Sequence, residues 1–115
     1  MGSSYLLNND NIDTYVEEKI GNYALGNTND KSIFIVKYVG RSDDNLNDRL
    51  KDWVGKYGEF KFSHEATTSV DAFEKECKNF HDFGGSAKLD NKIHPARPDG
   101  YTKNQLPCPV QSCND

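Results

Sequence analysis

Residues 33–39 constrain the fold of this chain more than any other stretch. The run Ile-Phe-Ile-Val-Lys-Tyr-Val is β-branched or aromatic at every position except Lys37. Such a run is apolar on both faces at strand length, and it predicts a strand at the centre of a sheet. Tyr23-Ala24-Leu25 reads as a second strand. The turn-forming cluster Gly26-Asn27-Thr28-Asn29-Asp30 between the two makes them a hairpin. Phe60, Phe62, His64 and Ala66 alternate with Glu59, Lys61, Ser63 and Glu65. That two-residue period predicts a third, half-buried strand.

Three helices fill the gaps. Ile12, Tyr15, Val16 and Ile20 recur at helical spacing, with Asp10 or Asn11 as the cap and Gly21 as the stop. Leu46, Leu50, Trp53 and Val54 form the stripe of a second helix, capped by Ser42-Asp43-Asp44 and ended by Gly55 and Gly58. Thr68-Ser69-Val70-Asp71 opens the longest helix in capping-box style, and Gly84-Gly85 closes it. Residues 1–10 read as a ragged polar end, and residues 86–115, which hold all the prolines, as largely irregular chain packed in part. The expected architecture is α/β of the α+β type: one domain over residues 1–115, a small three-stranded antiparallel sheet flanked by helices.

Length supports one core and not two: 115 residues sits near the common domain size. No apolar run approaches the roughly 20 residues of a membrane span, and no secretory signal is evident. The net charge of −4 argues against a strong nonspecific nucleic-acid binder. It leaves room for a local basic cleft, because field depends on placement as well as sum. Three cysteines, an odd number, argue against a disulfide framework and for a reducing, cytoplasmic setting.

Several side chains carry chemistry. On the long helix Val70, Phe73, Cys77, Phe80 and Phe83 share an apolar arc, and Glu76 falls inside it. A carboxylate among aromatics must be ion-paired, bind a metal or reach water at the arc's edge; Glu74 is the fallback. Arg49 stands beside Leu46 and Trp53, where a guanidinium fork can hold a phosphate oxygen or simply lie on the surface with a buried stem. Tyr23 and Tyr38 read equally as stacked core residues of paired strands. Gly40 permits close backbone approach at the strand end, and Arg41 follows it. Asn91 reads as an Asx turn, and His94 before Pro95 as a structural group or a phosphate contact. His64 reads as a satisfied inward histidine. Cys77 and His81 share a helix face and, with Cys108 and Cys113, offer four N/S ligands of the kind a structural Zn²⁺ takes. Buried Cys77, exposed His81 and frayed tail cysteines form the alternative to that set.

In chain order, Gly21-Asn22-Tyr23, Tyr38-Val39-Gly40, Arg49, Glu76 and Asn91 resemble the GIY-YIG nuclease family over roughly residues 20–95. The resemblance implies a DNA-cutting phosphodiesterase, an endonuclease of the cytoplasmic, nucleic-acid-associated kind. It implies that Tyr23, Tyr38, Arg49 and Glu76 are catalytic, with Gly40, Arg41, Asn91 and His94 at the substrate. Glu76, four residues after Ala72 as in the family motif, would hold one Mg²⁺ or Mn²⁺. Tyr23 would sit near the attacking water and act as general base; since phenol has a pKa of about 10, Arg41 and Arg49 would have to lower it. Three features depart from the family pattern. Asn22 replaces an apolar residue, the clusters lie a few residues farther apart than usual, and Trp53 stands where His or Tyr is common. An acidic nuclease of this size is expected to bind DNA weakly alone, with a targeting partner or a homodimer supplying the rest. The alternatives are a module on the same fold that binds nucleic acid or protein without turnover, and a zinc-stabilised interaction domain.

Overall fold

A computed structural model describes residues 2–110 and Cys113. Met1 of the expected ragged end and positions 111, 112, 114 and 115 of the expected irregular tail lie outside the described residues. The fold is α+β. Four antiparallel strands, β1 (Tyr5–Leu6), β2 (Gly21–Thr28), β3 (Phe34–Ser42) and β4 (Glu59–Ser63), pair in the order β1-β4-β2-β3. Three helices accompany them: α1 (Asn9–Tyr15), α2 (Leu46–Lys51) and α3 (Ser69–Asp82).

The sheet has one strand more than expected. Residues 1–10 are ordered in part, because Tyr5 and Leu6 pair with Phe60 and Glu59. Tyr5 also stacks on Tyr15 at 4.1 Å, and Leu7 is buried. The inner strands are β4 and β2, and the apolar run of β3 lies on the sheet border. A change of register also divides the apolar run between the two faces. Leu25 pairs with Tyr38 but Gly26 pairs with Val36, so Lys37 is an extra residue. A bulge of this kind moves every later side chain to the other face. Phe34 and Val36 therefore join Val39 on the α3 face, while Ile33 and Ile35 remain 54% and 38% exposed.

Alternation along β2 divides the core. Tyr23 and Leu25 point to one face, where they meet Ile12 and Val16 beneath α1 and Leu46 and Leu50 of α2. Asn22 and Ala24 point to the other. Ala24 packs with Val39 and Phe80, and Asn22 Nδ2 donates to the Ala72 carbonyl of α3 at 2.9 Å. A third cluster, Phe73, Cys77 and Leu106, joins the far side of α3 to the tail.

Helix ends differ from expectation in detail. Asn8 caps α1, and the helix stops at Tyr15 instead of reaching Gly21. Residues 16–20 run free of it, and the Lys19 carbonyl accepts from Leu46 N at 2.9 Å. Asn45 caps α2; Ser42 shapes the preceding turn by accepting from Asn45 N at 3.0 Å. Thr68 caps α3 as expected and accepts from Asp71 N at 3.1 Å. Beyond a 3₁₀ turn at Gly85–Ala87 the described tail is irregular, with Leu89, Asn91 and Leu106 buried. Asp90 N donates to the Lys37 carbonyl at 2.6 Å, so the tail lies along the outer border of β3. Among the described residues no helix is long and apolar enough to cross a membrane.

Candidate active site

A cleft of about 490 Å³ opens beside Gly40, where β3 ends. Tyr23, Tyr38, Gly40, Arg41, Arg49, Glu76, Asn91 and His94 all line it. These groups come from β2, β3, α2, α3 and the tail, and from both faces of the sheet. Residues singled out along the chain thus meet at one place.

Gly40 is required there by space. A Cβ on it would collide with Cζ and Oη of Tyr23. The phenol itself is buried, and its oxygen accepts from the Trp53 indole N–H at 2.9 Å. Burial pushes the Tyr23 hydroxyl far above the ordinary phenol range. The neighbouring Tyr38 adds to that push, and Trp53 and Arg49 only partly oppose it. The expected lowering by cations is therefore outweighed, which removes the basis for a ready phenolate at neutral pH. Tyr38 packs at 4.6 Å against Trp53 and 6.4 Å from Tyr23. Burial, then the nearby Glu76 charge, raise its hydroxyl too.

Glu76 is 8% exposed and lies on the side of α3 that meets the cleft. Arg41 Nη1 donates to its Oε1 at 2.6 Å, and Arg41 Nε donates to Asp43 Oδ1 at 2.8 Å. The guanidinium also lies 5.4 Å from the centre of the Phe73 ring. Burial pushes the Glu76 carboxyl up to about 7, against the pull of Arg41. Arg41 stays cationic: burial lowers its pKa, but Asp43 and Glu76 more than offset that. The buried ion pair weighed for Glu76 is thus present. The exposed Arg49 makes no ion pair among the described residues. It is the cleft's uncommitted guanidinium.

Asn91 is a tether. Its Oδ1 accepts from Val39 N at 2.9 Å and its Nδ2 donates to the Val39 carbonyl at 2.8 Å. One side chain thereby imitates a strand partner and fixes the tail beside Gly40. His64 is satisfied at both nitrogens: Nδ1 bonds the Ile20 carbonyl at 2.8 Å, and Nε2 accepts from Glu17 N at 3.1 Å. It lies outside the cleft.

Four contributors were not among the expected site residues, although Trp53 stands out as a departure from the family pattern and Asp43 as part of an expected helix cap. Asp43 pairs with Arg41, and Trp53 holds the Tyr23 oxygen. Asp90 accepts from the Tyr57 hydroxyl at 2.8 Å, and Lys92 adds a cation to the cleft. The pair Arg41-x-Asp43 and the run Asp90-Asn91-Lys92 were the available signals, since short-range charge pairs and turn residues mark such loops.

Donor chemistry decides which ions these residues suit. Mg²⁺ prefers oxygen ligands and often uses only one or two carboxylates with substrate phosphate and water. Glu76 is the buried carboxylate of the cleft, and Arg41 occupies its Oε1 at 2.6 Å. A different group can hold a metal outright. His81, His94, Cys108 and Cys113 each offer a ligand atom, and these atoms lie within 4.8 Å of one another. Cys77, expected in that set, is not in it. It is fully buried against Phe73 and Leu106, and its Sγ lies 3.9 Å from His94 Nε2, so His94 takes its place.

No protein-family model, curated protein or solved structure matches this chain.

Proposed function

We propose that the chain is a GIY-YIG-like endonuclease domain that hydrolyses DNA phosphodiester bonds in this cleft. One observation carries the proposal: two phenols, two guanidiniums and a buried carboxylate, remote in sequence, border a single hollow of about 490 Å³. Arg49 binds a non-bridging phosphate oxygen and stabilises the charge that builds on it. Arg41 exchanges Glu76 for the phosphate as substrate enters, which releases the carboxylate. Glu76 would then hold a single Mg²⁺ or Mn²⁺, which would supply Lewis-acid polarisation of the phosphate. Tyr23, its oxygen already engaged by Trp53, orients the attacking water through its hydroxyl. Tyr38 supports that geometry. Asn91 and His94 line the wall against which the strand lies. The water oxygen bonds to phosphorus, the bridging P–O bond breaks, and a water proton ends on the departing oxygen.

A cytoplasmic, nucleic-acid-associated setting follows from this reading, with a targeting partner or a second copy adding affinity. The test is nicking of supercoiled plasmid by the purified chain with Mg²⁺ or Mn²⁺. Nicking is expected for the wild type and at least about 100-fold less for Glu76→Ala and Arg49→Ala. Equal nicking by Glu76→Ala sinks the assignment.

The Arg41–Glu76 pair and the Trp53–Tyr23 bond favour one second reading, a binding module without turnover. DNA binding without cleavage under every divalent cation would select it.

A further inference from the structure

We propose that His81, His94, Cys108 and Cys113 bind one structural Zn²⁺ that fastens the tail to α3 and sets the outer wall of the cleft. This does not depend on the nuclease reading.

Four observations converge. First, the ligand types are right: two imidazoles and two thiols are the soft and borderline donors zinc takes in closed sites. Second, the spacing is right. With Zn–N near 2.0–2.1 Å and Zn–S near 2.3 Å, tetrahedral geometry separates donors by about 3.3–3.8 Å. The atoms here already lie within 4.8 Å of one another without an ion. Third, Nε2 of His81 is buried and has no hydrogen-bond partner among the described residues. A buried ring nitrogen left so is costly unless a ligand takes its lone pair. Fourth, the His94 tautomer suits a metal. Its Nδ1 sits 3.0 Å from the Pro95 carbonyl and is the donor there, so Nε2, which lies 3.9 Å from Cys77 Sγ, is the acceptor nitrogen a metal would take.

The four residues come from three separate places: the last turn of α3, the loop after Asn91, and the end of the described chain. The interval from His81 to Cys113 would thus be closed into loops by one ion. Two thiolates balance the dication, so the site is neutral, and the two thiol protons are released to solvent on binding. Four protein ligands leave no open position, so the ion is structural and not catalytic. His94 also lines the cleft, so the ion and the cleft wall share a side chain.

The experiment is metal analysis of the whole chain, purified under reducing conditions. One zinc per chain is expected. Cobalt substitution should give the visible absorption of tetrahedral Co²⁺ with thiolate charge transfer. Cys113→Ser, which alters only the chain end, and His81→Asn should each lose stoichiometric zinc. Cys77→Ser should keep it, which separates a ligand from a buried neighbour. Removal of zinc by a chelator should lower the melting temperature and speed amide exchange over residues 91–106. Three results overturn the proposal: wild type without stoichiometric zinc, zinc lost in Cys77→Ser but kept in Cys113→Ser, or a Cys108–Cys113 disulfide that persists through purification with reductant.

Discussion

Burial and the Arg41 guanidinium pull the Glu76 proton in opposite directions, and burial prevails. The folded carboxyl keeps its proton up to about 7, against 4.5 for the free side chain. Between those values the folded chain holds more protons than the unfolded one, so this group's contribution to stability falls as pH rises. The difference in unfolding free energy between wild type and Glu76→Gln should shift by about 3 kcal/mol in favour of the variant from pH 4.5 to 7. Denaturant melts at several pH values measure it, and a constant difference refutes it. Trp53 teaches a second lesson at this scale. Read as a departure that removes a proton shuttle, it donates instead to Tyr23. The double-mutant cycle Tyr23→Phe with Trp53→Phe should give a coupling of about 0.5–1.5 kcal/mol; additive effects would show the bond contributes nothing. Residue types at the cleft were legible in the chain. Their pairings were not, because whether Glu76 meets Arg41 or water depends on how α3 packs against the end of β3, which no spacing rule fixes.

The elements show why strand order was harder to read than strand existence. Period-two alternation located β4, and β-branched density located β3, since both are local properties. The bulge at Lys37 is set by pairing, and it leaves Ile33 and Ile35 outward on a strand that lies at the sheet border. Apolar density alone made β3 seem central, while the inner strand β2 contains two glycines and Asn22. At β3 the tether can be tested. Asn91→Ala strands the N–H and C=O of Val39, and should cost about 1–3 kcal/mol and accelerate exchange of the Val39 amide. Unchanged exchange would show that the tail is held elsewhere. Gly40→Ala drives a methyl into Tyr23 and should destabilise by about 1–3 kcal/mol. Thermal melts with near-ultraviolet dichroism of the tyrosines report both the loss and the displaced ring.

For the whole molecule, charge sets the scale of any nucleic-acid contact. The chain carries −4 overall, and its cleft cations are Arg41, Arg49 and Lys92, of which Arg41 is already paired. Arg41 joins Arg49 and Lys92 once phosphate displaces Glu76, and three cations neutralise about three phosphates, so the slope of log affinity against log salt should be about −3. A slope steeper than about −5 by fluorescence anisotropy would point to a basic surface elsewhere or to assembly on DNA. The two chain ends have a shared effect. Tyr5 and Leu6 cover the outer side of β4, while Asp90 and Asn91 cover that of β3. Each of these segments covers part of one margin of the sheet, where unpaired backbone invites aggregation. Trimming the chain at either side to a tidier fragment would bare a ribbon of amides to neighbouring copies, so shortened versions should clump before they unfold.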